Sequence, residues 1–344
     1  MPTLADHAPD PDDMRGAIRA FPDHLQEGWE RGGAADAFGL DAGALNGIVV
    51  CGMGGSAIGG DLVRTLVEPS APVPFLVNRG YSLPGWVGPR TLVVASSYSG
   101  GTEETLSAFG EAEQRGAQIV AVTSGGTLGA AGLPTVEISG GMQPRAALGY
   151  SLGVLLRLFS HLGLMTLDGD AFDAAVAAAR DRAATLGADG GSPAHALAAE
   201  LDGMLPVIYT GVGLMEAAGM RWRTQIHENA KHPAYGNVLP ELDHNEIMAF
   251  EAGPPEVLSR TVVVALRDAD DHAQVAKRFA ATRDLVEGAV AGWTEPDLGG
   301  GAPLDRVLHA VQLGDWVSYW LAAAKDVDPT PVETIQALKR TLAG

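Results

Sequence analysis

The sequence predicts an α/β fold in two halves, each a parallel sheet flanked by helices. Three observations carry that expectation. The apolar runs Ile48-Val49-Val50 and Leu92-Val93-Val94-Ala95 show no polar alternation, as expected of strands buried on both faces. Each runs into a glycine- and hydroxyl-rich segment that opens a helical pattern, Cys51-Gly-Met-Gly-Gly-Ser56 after the first and Ser96-Ser-Tyr-Ser-Gly-Gly-Thr-Glu-Glu-Thr105 after the second. Finally, 344 residues exceed the size at which one core stops growing.

The elements follow in order. Residues 14–30 read as a helix, followed by a Gly/Ala/Asp-rich stretch, so that 1–45 form a helical lead-in. Strands are expected at 47–51, 73–77, 91–96, 118–122 and 134–138, with helices at about 57–67 and 103–115 between them and a long apolar helix at 145–164. After Ala-rich helices at 170–186 and 193–202, the rhythm restarts with Leu205-Pro-Val-Ile-Tyr-Thr-Gly-Val-Gly213, a strand ending in a glycine turn like the first. Its helix runs from about 214 to 231. Strands are expected near 246–251 and 261–267, and helices near 271–288, 304–325 and 332–342. Gly, Asp and Ser cluster between Gly187 and Pro193, which divides the chain into 46–188 and 189–344, the latter ending in the C-terminal helix.

Composition bounds the function. Hydrophobic residues make up 46% of the chain, ample for burial, and the formal charge of −19 argues against nucleic acid and anionic membrane as partners. There are four lysines, Lys231, Lys277, Lys325 and Lys339. Cys51 is the single cysteine, which excludes intrachain disulfides and cysteine-based metal sites. The first thirty residues carry acids and no apolar signal-like run, and no uncharged stretch reaches the length of a membrane span; the expectation is a cytoplasmic protein.

The two glycine and hydroxyl segments together predict a phosphate cradle. Both fall at carboxyl ends of strands, where open α/β sheets bind ligands, and helix amino-termini there offer N–H groups and partial positive charge to an anion. Gly54 and Gly55 let the backbone come close, and Ser56, Ser97, Ser99 and Thr102 bring hydroxyl donors. Neither segment has the Gly-Lys-Ser/Thr ending of a nucleotide loop or the Gly-x-Gly-x-x-Gly of a dinucleotide turn, so the expected ligand is a small phosphomonoester. One such segment alone would read as an ordinary capped turn. Two at successive strand ends favour a site.

The densest polar stretch is Gln225-Ile-His-Glu-Asn-Ala-Lys-His-Pro-Ala-Tyr235, continuing to Pro240-Glu-Leu-Asp-His-Asn-Glu246. Glu228 and Lys231 share a helix face, with His227, Asn229, His232, Asp243, His244 and Asn245 close by in sequence, too rich a set of titratable groups for an ordinary turn. The histidines lack metal-ligand spacing: no His-x-x-x-His occurs and His227 and His232 are five apart, so no metal is expected. Arg145, after Pro144, is a candidate cation beside the phosphate.

At this point the chain resembles the sugar isomerase (SIS) domain family, and within it the bifunctional phosphoglucose/phosphomannose isomerases. The matching motifs are Gly52-Met-Gly-Gly-Ser-Ala-Ile-Gly-Gly-Asp61, Ser97-Tyr-Ser-Gly-Gly-Thr-Glu-Glu-Thr105, Pro144-Arg145, Glu228-Asn-Ala-Lys231, Leu242-Asp-His-Asn-Glu246 and Ala337-Leu-Lys339, spanning most of the chain. The resemblance implies two SIS subdomains of flavodoxin-like three-layer α/β/α architecture, no cofactor, and a homodimer with the active site near the subunit interface. It implies that Ser56, Ser97, Ser99 and Thr102 hold the phosphate of a phosphosugar and that Glu228 moves a proton between C1 and C2. It further implies that His244, from across the dimer, and Lys339 open the sugar ring, and that Arg145 stabilises the enediolate. Thr330, in the Asp-Pro-Thr-Pro turn, is a candidate contributor to discrimination at C2. One departure is visible: Gly101 stands where the family commonly has Asn.

Two other classes compete with the isomerase. A SIS-domain sensor would bind a phosphosugar without turning it over, but here every candidate catalytic position is filled. An amidotransferase-type or amino-sugar isomerase would carry an amino-terminal cysteine nucleophile or a glutaminase domain, and neither is present in the sequence.

Overall fold

The computed structural model describes residues 8–342, which form two compact units. The first comprises Arg19–Ala183 together with Gly301–Leu308; the second comprises the described residues up to Ile18, Ala184–Gly300 and the chain from His309 onward. Helices α1 (Met14–Arg19) and α2 (Phe21–Gly32) replace the single helix expected at 14–30, because Pro22 cannot supply a backbone N–H in a helix interior and instead sits in the first turn of α2.

Five strands make the first sheet: β1 (Gly47–Cys51), β2 (Phe75–Asn78), β3 (Thr91–Ser96), β4 (Gln118–Thr123) and β5 (Thr135–Glu137). All pairings are parallel and the order is β2-β1-β3-β4-β5. That is the flavodoxin-like arrangement expected, with its reversal of direction between β1 and β3. Every residue of β1 and of β3 is buried, which accounts for their unbroken apolar sequences. On one face Val49, Cys51 and Val93 pack with Leu83, Val87, Ala108 and Ala112. Burial pushes the Cys51 thiol up to about 12, leaving it an inert core side chain.

The helices of this unit are α3 (Gly54–Val67), α4 (Glu103–Gln114), the one-turn α5 (Gly126–Gly129), α6 (Leu148–His161) and most of α7 (Gly169–Leu186). Helices α2 and α6 meet through glycine: a Cβ on Gly28 would lie 2.2 Å from the Tyr150 carbonyl oxygen, and one on Gly153 would lie 2.3 Å from that of Leu25. Helix α3 begins three residues earlier than expected, so Gly54, Gly55 and Ser56 form its first turn. Helix α6 begins three residues later than expected, leaving Arg145 in the turn before it.

After α8 (Pro193–Leu201), the second unit repeats the scheme with four strands: β6 (Leu205–Gly211), β7 (Tyr235–Leu239), β8 (Thr261–Leu266) and β9 (Gly292–Thr294). They are parallel in the order β7-β6-β8-β9, the same winding as the first sheet. Helix α9 (Glu216–Ala230) follows β6, the short α10 (Ala249–Ala252) and α11 (Pro255–Leu258) precede β8, and α12 (Ala273–Val286) joins β8 to β9. Tyr209, Val263, Phe279 and Trp293 fill one face of the sheet. Helices α13 (Pro303–Ala324) and α14 (Glu333–Leu342) complete the chain. The strand expected at 246–251 does not form: Glu246–Met248 is a 3₁₀ turn and Ala249–Ala252 a helix, started by the Asn245 side chain, which accepts from the Glu246 N–H. Among the described residues no helix is long and apolar enough to cross a membrane.

Candidate active site

Both glycine and hydroxyl segments lie at the switch point of the first sheet, at the carboxyl ends of β1 and β3. Glycine is required where the strands turn. Gly52 leaves no room for a side chain, since its Cβ would lie 2.9 Å from the Ser96 carbonyl oxygen. Gly100 has φ +66° and its Cβ would fall 1.8 Å from the Gly125 oxygen, so the hydroxyl loop rests directly on the turn after β4.

Each of the four hydroxyl oxygens has a hydrogen-bond partner within the two segments. The Ser56 oxygen accepts from the Tyr98 N–H at 3.2 Å, and the Ser99 oxygen accepts from the Gly101 N–H at 3.3 Å. Each thereby uses a lone pair and retains its O–H. The Ser97 and Thr102 oxygens lie 2.8 Å apart, so one donates to the other and this bond leaves the second O–H unused. Ser56 and Ser97 are buried, Thr102 is half-buried and Ser99 is exposed. The amino-terminus of α3 adds Gly54 and Gly55, whose N–H groups have no intrahelical acceptor. Helix α4 begins directly after Thr102, and Glu103 and Glu104 in its first turn complement its dipole.

Arg145 is buried beside this cradle: its Cα lies 3.3 Å from the position a Cβ on Gly55 would take, and the Pro144 carbonyl oxygen lies 2.6 Å from it. Any side chain on Gly55 would push the arginine segment away. Gly101, by contrast, has open space around its Cβ position and no positive φ, so the loop does not depend on glycine there.

The second unit carries Glu228 on the last turn of α9, half-buried. Its buried neighbours fix that helix to α13. Arg221 makes a bidentate pair with Asp315 at 2.9 and 2.7 Å, the Trp222 indole donates to the Ala310 carbonyl at 2.7 Å, and the Asn229 amide donates to the Ser318 hydroxyl at 2.9 Å. Burial pushes the Asp315 carboxyl up, against the opposing pull of Arg221. Gly314 makes room for Trp222, since a Cβ there would lie 2.4 Å from the indole.

Helix α9 stops at Lys231, whose φ of +47° is left-handed. The Lys231 ammonium donates to the Glu228 carbonyl at 2.6 Å and to the Pro329 carbonyl at 2.9 Å, tying the end of α9 to the turn that carries the buried Thr330. Lys325 donates to the Ala230 carbonyl at 2.8 Å and to His232 Nδ1 at 3.3 Å, while His232 Nε2 donates to the Met204 carbonyl at 2.6 Å. Burial first, and the Lys325 charge as a smaller contribution, hold the His232 pKa below its ordinary value.

His244 closes the 3₁₀ turn Glu241–His244 and is exposed. Its neighbours anchor that turn. Asp243 accepts from Arg278 at 2.8 Å and from the Thr282 hydroxyl at 2.7 Å; Glu246 accepts from the Tyr209 hydroxyl at 2.7 Å and the Asn237 amide at 2.6 Å. Lys339 lies on α14, all of whose side chains are exposed or nearly so. The structure therefore brings together the cradle with Arg145 in one unit, and Glu228, Lys231 and the Thr330 turn in the other. Among the described residues, neither His244 nor Lys339 makes a hydrogen bond to Glu228, Lys231 or the Thr330 turn.

The family described as "Bacterial phospho-glucose isomerase C-terminal SIS domain" matches residues 191–342. The bifunctional phosphoglucose/phosphomannose isomerase of Caldicellulosiruptor bescii is 41% identical over 337 residues, covering 96% of this chain and 99% of its own. The chain belongs to the bifunctional phosphoglucose/phosphomannose isomerase family. Another member, from Aquifex aeolicus, is 37% identical and covers 86% of this chain and 90% of its own. The same SIS fold recurs at low identity in solved structures. A hypothetical protein from Thermus thermophilus has a TM-score of 0.72 at 18% identity, covering 97% of this chain and 92% of that one. Tagatose-6-phosphate ketose/aldose isomerase from Escherichia coli has a TM-score of 0.65 at 13% identity, covering 93% of this chain and 96% of that one.

Proposed function

We propose that this chain interconverts glucose 6-phosphate and mannose 6-phosphate with fructose 6-phosphate, by proton transfer through a cis-enediol. The observation that carries the reading is near-full-length similarity to enzymes of that name, joined to a cradle whose hydroxyls keep donors for a phosphate. It favours turnover over simple phosphosugar sensing.

In this reading Ser56, Ser97, Ser99 and Thr102, with the α3 amino-terminus at Gly54 and Gly55, bind the phosphate. His244 from a second copy and Lys339 open the ring by moving protons at the ring oxygen and the anomeric hydroxyl. Glu228 takes the C2 proton of the aldose as O1 gains one, forming the cis-enediol; returning the proton to C1 as O2 gives up its own yields the ketose. Arg145 offsets the charge that develops on oxygen. The scheme runs on acid–base groups alone and needs no metal or redox cofactor.

A homodimer suits the reading, because Ile335, Leu338 and Leu342 on α14 are 42%, 58% and 73% exposed and fall on one helix face. A cytoplasmic setting fits phosphorylated substrates. The test is a coupled assay with both aldose phosphates, run with and without a strong chelator. Turnover of both substrates that survives chelation is expected; turnover of neither, or activity lost to chelator and restored by zinc, contradicts it.

A further inference from the structure

Tyr98 stands between Ser97 and Ser99 in the hydroxyl loop, and its polar atoms reach three other parts of the first unit. Its N–H donates to Ser56 Oγ at 3.2 Å. Its carbonyl accepts from the Ser124 N–H at 3.0 Å and the Ser124 hydroxyl at 2.6 Å. Its phenol oxygen accepts from the Met142 N–H at 3.1 Å. The backbone bonds hold the hydroxyl loop to the start of α3 and to the turn after β4. The phenol alone reaches the stretch that leads into Arg145.

That stretch runs directly into the turn that carries Arg145. Met142 lies three residues before Arg145, Gly141 before it takes φ +96°, and the Pro144 carbonyl and Arg145 Cα are wedged against Gly55. The Ala146 N–H returns to the Gln143 carbonyl at 2.9 Å, closing a turn around Pro144 and Arg145. Tyr98 thus fixes one end of this turn and Gly55 its middle. Burial raises the Tyr98 pKa above that of an ordinary tyrosine, which keeps the phenol in its neutral form.

We propose that Tyr98 is a positioning residue: its phenol ties the hydroxyl loop to the Met142–Arg145 turn and so sets where Arg145 stands relative to the bound phosphosugar. The inference rests on the reading of Arg145 as the cation that stabilises the enediolate. It separates two functions of one residue. The backbone of Tyr98 supports phosphate binding through Ser56, and its phenol supports turnover through Arg145.

The test compares Tyr98→Phe, Arg145→Ala and the double variant, each assayed for kcat, for KM and for competitive inhibition by inorganic phosphate. Tyr98→Phe is expected to lower kcat on the order of 10–100-fold, as for a misplaced catalytic group, while phosphate inhibition stays within about threefold of the parent. In the Arg145→Ala background it should have no further effect on kcat. Met142→Pro, which deletes the N–H donor and leaves the phenol in place, should reproduce the kcat defect. Parental kcat in Tyr98→Phe with an impaired Arg145→Ala overturns the positioning role and leaves the reading of Arg145 standing. Multiplying effects in the double variant, or kcat and phosphate affinity falling together, overturn it too. Parental kcat in Arg145→Ala overturns both the positioning role and the reading of Arg145.

Discussion

The Ser97 hydroxyl lies 2.8 Å from the Thr102 hydroxyl, across a loop that leaves β3 and enters α4. One of the two donates to the other, which leaves a single O–H between them that the pair does not use. Where this loop binds a phosphate, as proposed, the two hydroxyls are expected to act as one unit.

Ser97→Ala removes both the donor and the bond that orients Thr102. Phosphate affinity should fall by about 1–3 kcal/mol, the range for a hydrogen bond to a charged group. Thr102→Val should cost a similar amount, and the double variant should cost much less than the sum, because the two hydroxyls act as a unit. Competitive inhibition by inorganic phosphate measures all three. Strict additivity would mean that the hydroxyls bind independently.

Gly100 and Gly101 are adjacent and should respond in opposite ways. Gly100 is left-handed with its Cβ position 1.8 Å from a carbonyl oxygen, so Gly100→Ala must deform the loop and lose phosphate binding. Gly101 has open space, so Gly101→Asn, which restores the residue common in the family, should leave stability within about 0.5 kcal/mol of the parent. Thermal unfolding and phosphate inhibition on the two variants separate the cases. A destabilised Gly101→Asn would show that the loop needs glycine at both positions.

His232 gives a pH dependence whose sign follows from its burial in the neutral form. Its Nδ1 accepts from the Lys325 ammonium and its Nε2 donates to Met204, so the folded site holds the neutral ring. Burial, with the Lys325 charge as a smaller contribution, holds the folded pKa below the ordinary value of 6.5. Unfolding at acid pH takes up a proton that the folded state refuses, so stability is present above the unfolded value and is lost as pH falls from there through the folded value. The Tm should drop between about pH 7.5 and 5.5, a window that spans the ordinary histidine pKa, and His232→Gln, which keeps a donor for Met204, should flatten part of that drop. An unchanged slope in the variant would assign the titration elsewhere, first of all to His24, whose pKa burial also lowers.

Local features of this fold are legible in the sequence, and long-range ones are not. The unbroken apolar run of β1, the glycines after it and the hydroxyl loop are contiguous, and each states its environment within a few residues. Strand β7 has no such signature because it is an edge strand, with Tyr235 59% exposed and Asn237 turned to Glu246. Strand β9 is three residues long. The segment 246–251 reads as a strand from its apolar residues, yet the two bonds on Glu246 and the Asn245 cap commit it to helical turns. The Arg221 and Asp315 pair, 94 residues apart in sequence, fixes the helix of Glu228, and neither partner announces the other. Tyr98 lies inside the hydroxyl motif itself; its part depends on Met142, which nothing nearby in sequence signals.

Whether Glu228 carries the proton between C1 and C2 is decided by the variant Glu228→Gln. Glutamine keeps the size and most of the hydrogen bonding on a helix that Arg221, Trp222 and Asn229 hold in place, but lacks a basic oxygen. Exchange of the C2 proton with solvent and isomerisation should fall together, by about 10²–10⁴-fold, while phosphate inhibition stays near the parental value. A correctly folded Glu228→Gln variant that exchanges and isomerises at parental rates would contradict the account and move the search for the base to Glu241 and Glu246.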